Sequence, residues 1–332
     1  MRLFFSALLA MFAIGSLSAA PPNEPDTTAL KLFKPLPEAM QSSDHPSNPA
    51  MVDLGRVLFH DPRLSKANDV SCNSCHNLTT YGVDNRAVST GHLRQTGNRN
   101  SPTVYNAAGH FVQFWDGRAA DVEAQAKGPV MNPVEMGITS EAEVVSRLKA
   151  IPAYVAMFRK AFPGQADPVT FDNMATAIGA FERGLLTPSR WDKYLKGDKT
   201  ALTAAEKAGF RQFVEAGCAG CHSGALVGGS LYQKAGLVKP WPNQSDLGRY
   251  AVTKQNTDKM LFKVPSLRNV LKTGPYFHNG ETARIEEAVA AMGSHQTGAS
   301  LDEQQIRSIV TWLGALTGEI PAAYIKQPVL PR

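Results

Sequence analysis

The stretches Cys72-Asn73-Ser74-Cys75-His76 and Cys218-Ala219-Gly220-Cys221-His222 decide how this chain folds, and together they contain all 4 of its cysteines. Cys-x-x-Cys-His is the attachment sequence of c-type haem. In each copy the two thiols can form thioethers to one porphyrin edge, while the adjoining histidine ligates the iron. The sequence therefore predicts two covalently bound haem c groups, one held by Cys72, Cys75 and His76 and the other by Cys218, Cys221 and His222.

Three other uses of these cysteines compete with haem attachment. A dithiol redox pair needs no following histidine and usually lies in a βαβ pattern, which the sequence lacks. A four-cysteine zinc site would join two distant pairs and leave both histidines without a role. Structural disulfides would close loops with only two intervening residues, which gain little from loop-closure entropy. Haem attachment is the use that accounts for every position of both motifs.

The N-terminus has the layout of a secretory signal. Met1-Arg2 gives a cationic start, residues 3–15 are mostly apolar, and small residues at 16–20 precede Pro21. We expect residues 1–20 to be removed and the mature protein to be soluble in the periplasm, where haem is attached to such motifs. The apolar run is too short to cross a membrane and no later stretch reaches about 18 apolar residues, so no membrane span is predicted.

The charge distribution is that of an ordinary solvated surface. The formal net charge is +5, 19% of the residues are charged, and the sequence has no basic run. Nucleic-acid binding is therefore not predicted. A lysine-rimmed docking surface for an acidic electron carrier is compatible with this distribution.

Helical periodicity dominates the sequence, and the alternation typical of strands is almost absent. Apolar stripes with steps of three and four are formed by Phe171, Met174, Ile178, Phe181 and Leu185 and by Ile306, Ile309, Val310, Leu313 and Leu316. Capping boxes are predicted for Ser140 with Glu143, Thr203 with Glu206 and Ser300 with Glu303. The predicted fold class is all-α, mainly helical with long loops.

The two haem motifs fall one in each half of the chain, which predicts two small c-type cytochrome-like domains. The turn-rich stretch 186–190 ends a long helix and marks the predicted boundary. We expect an N-terminal haem domain over 21–186 and a C-terminal haem domain over 187–332. A helix over about 204–215 should stop at Gly217 and lead directly into Cys218.

The sixth ligand of each iron decides whether a haem only carries electrons or also binds substrate. Met260 and Met292 both follow the second motif, and either thioether could ligate its iron, although core packing is the commoner role of a methionine. His92 lies in a polar loop after the first motif, where haem ligation and a surface position are both open.

Five further segments resemble the bacterial dihaem cytochrome c peroxidases, and the resemblance runs from about residue 54 to residue 318. The segments are 54–65, 92–102, 114–118, 131–137 and 264–270. The resemblance implies that the N-terminal haem is the low-potential peroxidatic one, with His76 proximal and His92 a displaceable distal ligand. It implies that electrons enter at the C-terminal haem, where His222 is proximal and Met292 rather than Met260 is distal.

The same resemblance implies a calcium site between the domains, formed by the Asn100 side chain and the carbonyls of Thr273 and Pro275. Oxygen ligands suit calcium, although Asn100 alone, in a loop rich in glycine and asparagine, indicates only a turn. Trp115 matches an indole that the family places between the two haems. Its residue type alone indicates core packing.

Peroxide reduction needs a group that moves a proton from one peroxide oxygen to the other. Glu135 is the candidate, because partial burial in a largely uncharged loop would raise its pKa. Gln125 and Pro129 match family positions that line the same pocket. Taken singly, these residue types indicate a solvated charge, an exposed helix position and a turn.

Together these residues imply an enzyme that reduces hydrogen peroxide with electrons from a small periplasmic donor, either a c-type cytochrome or a cupredoxin. The resemblance also implies a homodimer. One alternative is a dihaem cytochrome that only transfers electrons. Another is a relative that matures a tryptophan-derived cofactor, which has a tyrosine where this chain has Met292. Four further histidines, His60, His110, His278 and His295, are assigned structural or surface roles, with His278 near the second haem.

Overall fold

The computed structural model describes residues 27–332, so the predicted signal sequence lies outside the described residues. The predicted all-α class is confirmed: helices and long loops make up the described chain, and its strands form one two-stranded sheet. The helices before the predicted boundary are α1 (Thr27–Leu30), α2 (Pro49–His60), α3 (Cys72–Cys75), α4 (Val122–Met131), α5 (Glu141–Lys149), α6 (Pro152–Ala161) and α7 (Phe171–Glu182).

The second half of the chain contains five α-helices, a one-turn π-helix and the two short strands. The helices are α8 (Arg190–Leu195), α9 (Ala204–Glu215), α10 (Tyr250–Thr253), α11 (Ile285–Ala291) and α12 (Glu303–Gly314), with a π-helical turn over Met292–Thr297. The strands β1 (Tyr232–Lys234) and β2 (Leu261–Lys263) are antiparallel, with Tyr232 opposite Lys263.

Each half has its own hydrophobic core, built around one close pair of helices. In the first core α2 packs on α7, and a Cβ on Gly55 would overlap the carbonyl oxygen of Ala177. In the second core α9 packs on α12, and a Cβ on Gly209 would overlap the carbonyl oxygen of Ser308. The two glycines therefore allow the backbones to approach more closely than any larger side chain would.

The first and last segments of the described chain each pack into the hydrophobic core of the other half. Phe33, near the start of the described chain, is buried in the second core and makes edge contacts with Trp191 and Trp312. In the C-terminal tail, Ile325 belongs to the first core, and Tyr324 stacks on Phe181. This exchange ties the two halves together beyond their one covalent connection.

The predicted boundary stretch is partly buried, with Thr187 and Ser189 buried and Pro188 and Arg190 exposed. The Thr187 hydroxyl is fully buried and accepts hydrogen bonds from the amides of Asn106 and Asn269, each at 2.8 Å. Asn269 also accepts a bond from the backbone N–H of Gly318 at 2.9 Å. These bonds fix the stretch because buried polar groups are costly to leave unpaired.

Arg268, in a segment that carries the family resemblance, has a structural role. It is 1% exposed and makes two 2.8 Å bonds to the buried carboxylate of Asp192. Its Nε donates to the carbonyl of Ala225 at 2.6 Å. Although burial opposes ionisation, Arg268 and the backbone N–H groups of Leu36 and Ser189 hold the pKa of Asp192 below its usual value.

The predicted helix caps are only partly correct. Thr203 and Glu206 form the predicted reciprocal box at the start of α9. Ser140 caps α5 through the N–H of Glu143, but the Glu143 carboxylate bonds to Thr139 instead of reaching back to Ser140. The box predicted for Ser300 with Glu303 is wrong, because α12 begins after Asp302, which is paired with Gln305.

Candidate active site

The first haem motif lies on the rim of a cavity between α3, α4 and α7. Cys72 and Cys75 lie on α3, and His76 directly follows it, so all three side chains line this cavity. Burial raises the pKa of the Cys75 thiol to about 11 and raises that of Cys72 as well. The Nδ1 atom of His76 is buried without a hydrogen-bond partner among the described residues. The thiols are thus inert as free groups, and burial lowers the pKa of His76, which favours the neutral imidazole that ligates metals.

The second haem motif lines a separate cavity. The helix α9 ends at Glu215, as predicted, and Gly217 takes φ +80°, which turns the chain into the 3₁₀ turn Cys218–Gly220. The thiols of Cys218 and Cys221 and the imidazole of His222 all face the cavity lining. Burial lowers the pKa of His222 to about 4, so its ring is neutral, which is the form that ligates metals.

Both cavities therefore have the donors that a covalent haem requires. Each contains two thiols and one imidazole from a single pentapeptide, and the second has a predominantly apolar wall that includes Phe213, Val264, Leu267, Val270 and Leu313. Two thioether attachments and one nitrogen ligand per cavity are what c-type ligation uses.

Of the two methionines after the second motif, Met292 lines the second cavity together with His222. It begins the π-helical turn that follows α11. Met260 is buried beside Trp241 and Phe262 in a small apolar cluster. The positions of the two side chains favour Met292 as the thioether ligand.

His92 is buried, and its side chain bonds to the neighbouring loop rather than lining the first cavity. Its Nε2 atom is 2.8 Å from the carbonyl oxygen of Pro133, and its backbone N–H donates to the carbonyl of Glu135 at 2.7 Å. The next two residues, Leu93 and Arg94, have φ values of 53° and 60°. Left-handed backbone at two successive non-glycine residues is strained, so this turn stores free energy.

Glu135, Gln125 and Pro129 are brought together in the lining of the first cavity. Glu135 accepts a 2.7 Å hydrogen bond from the Asn132 amide. Burial raises the pKa of the Glu135 carboxyl, while the charge of Arg118 and the Asn132 bond offset part of that effect. A half-buried carboxyl that lines a cavity, with its pKa displaced towards neutrality, is suited to proton transfer.

Trp115 lines both cavities, which places its indole between them. Its Nε1–H donates to the carbonyl oxygen of Asn100 at 2.9 Å. The backbone of Asn100 is fixed further by its N–H, which donates to the carbonyl of His278 at 2.8 Å. The indole is thus held from both halves of the chain.

The residues predicted to bind calcium lie around the second cavity. Asn100, Thr273 and Pro275 all belong to its lining, and the Nδ2 of Asn100 donates to the carbonyl of Arg86 at 2.8 Å. That bond leaves the amide oxygen of Asn100 as the atom available to a cation. A donor set made of oxygens alone fits calcium.

Two groups near the cavities were missed by sequence reasoning. Glu182, at the end of α7, lines the first cavity, and burial together with the nearby charge of Glu123 raises its pKa to about 8. His110, which the sequence analysis assigned a structural or surface role, lines the second cavity beside Lys263. Two other histidines differ in their surroundings: His278 stacks on Phe262 in that cavity, whereas His60 bonds to the backbone of α2.

Comparisons with known proteins agree with this site. A family model described as di-haem cytochrome c peroxidase matches residues 49–200. The chain is 47% identical to a cytochrome c551 peroxidase of Pseudomonas aeruginosa, over 91% of this chain and 88% of that protein. It is 44% identical to a cytochrome c551 peroxidase of Nitrosomonas europaea, over 98% of this chain and 92% of that protein.

A solved structure shares the fold. A MauG-like protein associated with microbial copper homeostasis aligns with a TM-score of 0.77 and 29% identity, over 88% of this chain and 97% of that chain. No helix in residues 27–332 is both long and apolar enough to cross a membrane. With two haem motifs lining two cavities and relatives above 40% identity over nearly the whole length, this chain belongs to the di-haem cytochrome c peroxidase family.

Proposed function

We propose that this protein reduces hydrogen peroxide to two molecules of water, consuming two electrons and two protons, in the cavity of Cys72, Cys75 and His76. The observation that carries the proposal is the half-buried Glu135 carboxyl in the lining of that cavity, with its pKa raised by desolvation. When bound there, haem supplies an iron that binds peroxide and exchanges electrons with it.

Glu135 performs the proton transfer. As a carboxylate it takes the proton from the peroxide oxygen nearest the haem, and as a carboxylic acid it returns that proton to the far oxygen, which leaves as water. A raised pKa brings the two forms closer in free energy near neutral pH, so both are accessible during turnover. The Gln125 amide orients the peroxide, and Pro129 narrows the space beside it.

His92 controls access to the first cavity. Its Nε2 bond to the Pro133 carbonyl supports a position in which the imidazole is detached from the cavity. Moving the ring into the cavity would break that bond and unwind the strained turn at Leu93 and Arg94. We infer that the loop has two arrangements of similar free energy, one in which His92 would hold the iron of the first haem and one in which the cavity is open.

Electrons enter at the second cavity, where His222 and Met292 would hold the haem iron, and Trp115, which lines both cavities, connects it to the first. The donor is a small periplasmic protein, a c-type cytochrome or a cupredoxin. Leu237 and Val238, each 55% exposed, lie beside the Met292–Thr297 turn and close to Lys239, and such an apolar patch with a cationic rim suits an acidic donor.

Calcium, held by the Asn100 side chain and the carbonyls of Thr273 and Pro275, would stabilise the connection between the cavities, and the working unit is a homodimer. Removal of calcium with a chelator should slow peroxide turnover, and addition of Ca²⁺ should restore it. Gel filtration with light scattering should give twice the monomer mass.

The proposal is tested by mixing peroxide with protein in which only the second haem is reduced. One equivalent of peroxide should oxidise the half-reduced protein within the time of one catalytic turnover. Fully oxidised protein should react much more slowly. His92→Gly should remove that difference by leaving the first cavity open in both redox states. Equal rates in the two wild-type states would refute the role of His92, and no reaction in either would refute peroxidase activity.

A further inference from the structure

A buried lysine meets a histidine at the second cavity, and neither has a part in the proposed reaction. Lys263 lies on β2 and is 4% exposed, and its amine is 2.9 Å from Nδ1 of His110. Both side chains line the cavity that contains His222 and Met292. The two residues are 153 positions apart, so the contact exists only because the two halves of the chain pack together.

The pair presents hydrogen-bond donors without acceptors. Because the amine of Lys263 donates to Nδ1, the neutral ring of His110 carries its proton on Nε2. That Nε2 atom is buried with no hydrogen-bond partner among the described residues. His110 is also the one side-chain partner that residues 27–332 offer to the amine, which leaves two of its N–H groups unused. Buried donors and a buried charge without partners are costly, so an acceptor is missing.

The surrounding charged groups do not supply that acceptor. Asp116 attracts the amine electrostatically, but its oxygens are bonded by Arg99 at 2.6 Å and by Arg118 at 3.0 Å. Across the sheet, the Tyr232 hydroxyl is bonded to Arg249. The other titratable groups of this cavity are Cys218, Cys221, His222, Lys234, Tyr276 and His278, and none of them is a carboxylate.

The position of the pair is built into the backbone. The Lys263 N–H donates to the carbonyl of Trp115 at 2.8 Å, which ties β2 to the indole between the cavities. Beside His110, Gly229 has φ +73°, and a Cβ there would overlap the imidazole. A side chain at position 229 would therefore displace His110.

We propose that Lys263 and His110 bind a carboxylate inside the second cavity, and that this carboxylate is a propionate of the haem held there. A carboxylate has the lone pairs to accept from both the ammonium and the imidazole N–H, and charge-assisted bonds of this kind are strong. The inference rests on haem binding at the second motif and on the proposed entry of electrons there.

The proposed contact places the positive charge of Lys263 beside a propionate of the haem at which electrons enter. Removing the ammonium leaves the carboxylate uncompensated, which favours the ferric state because that state carries one more positive charge. The midpoint potential therefore falls. In the wild type, reduction of the haem raises the pKa of the ammonium and takes up a proton, so the potential also falls as pH rises through that pKa. Burial lowers the pKa of Lys263 to about 7 even though the charge of Asp116 opposes that effect, and a bound carboxylate raises it from there.

The test is a spectroelectrochemical titration of the second haem in the holoprotein across neutral and alkaline pH. Lys263→Met should lower the midpoint potential and abolish its alkaline pH dependence. Lys234→Met removes an exposed lysine of the same cavity from the paired strand and should change neither. An unaltered potential and pH profile in Lys263→Met with both haems attached would overturn the proposal, as would a pH-independent potential in the wild type.

A second variant and a chloride titration test the same proposal independently. If Lys263→Met fails to mature, His110→Gln, which retains the charge but alters one donor, should give a smaller shift in the same direction, and no shift would count against the pair. A wild-type potential that varies with chloride concentration would assign the donors to a free anion and overturn the haem assignment. Peroxide turnover, measured on the same wild-type sample, reports separately on the proposed function.

Discussion

Replacing Glu135 by glutamine isolates proton transfer from the rest of the site. Glutamine has the same size, and its carbonyl oxygen can still accept the 2.7 Å bond from Asn132, so the loop and cavity keep their shape. The group that is lost is the carboxyl that exchanges a proton. A positioned general acid and base contributes about 10²–10⁴-fold to a rate, which corresponds to about 3–5 kcal/mol of activation free energy.

Stopped-flow mixing of the half-reduced variant with peroxide should therefore show a rate lower by that factor, with both haems attached and unchanged absorption spectra. The matched control is Glu141→Gln, which neutralises an exposed glutamate at the start of α5 and should react like the wild type. In the wild type, kcat/KM should fall as pH decreases through the raised pKa of Glu135, because the free site must start as a carboxylate. Glu135→Gln should lack this acidic limb. A variant that keeps the wild-type rate would refute the assignment of Glu135.

Four other outcomes follow from the structure. Arg268→Met leaves the buried Asp192 carboxylate unpaired and should cost about 3–5 kcal/mol of unfolding free energy by denaturant titration; a loss below 1 kcal/mol would contradict the buried pair. Because the pKa of Asp192 is lower in the folded protein than in the unfolded chain, the stabilisation from its carboxylate is complete above the unfolded pKa. This stabilisation is lost as pH falls towards the folded-state pKa. Arg268→Met should therefore flatten the acid side of the plot of unfolding free energy against pH. Gly55→Ala should cost about 1–3 kcal/mol through overlap with Ala177, whereas Gly314→Ala, where the added Cβ meets only an ordinary contact at 3.6 Å, should be close to neutral. Trp115→Phe should slow electron transfer between the haems in flash-reduction experiments, and Trp241→Phe, which alters an indole lining the second cavity alone, should leave that rate unchanged.

The haem motifs and several helices could be predicted because their signals are local. A haem attachment site is five consecutive residues, and the box at Thr203 and Glu206 spans four, so neighbouring positions carry the whole pattern. Where two local patterns overlap, the prediction is ambiguous. Ser300 with Glu303 and Asp302 with Gln305 both fit a helix start, and the structure uses the second, two residues later.

Features that depend on distant contacts were not predictable from the same sequence. Phe33 and Ile325 are ordinary apolar residues, and nothing near them indicates that each belongs to the opposite core. Lys263 is a single lysine in a short strand, and its significance comes from His110 in the other half of the chain. Glu182 is next to the apolar stripe of α7, and only the packing of α3 and α4 around it shows that it faces a cavity.

The central claim is that the two haem sites are unlike, with the first able to open and the second closed by Met292. Electron paramagnetic resonance of protein poised with only the second haem reduced tests it most directly. The first ferric haem should then give a high-spin signal, or a low-spin signal that added cyanide replaces within seconds. A first haem that stays low-spin and inert to cyanide in the oxidised and half-reduced states alike would contradict it.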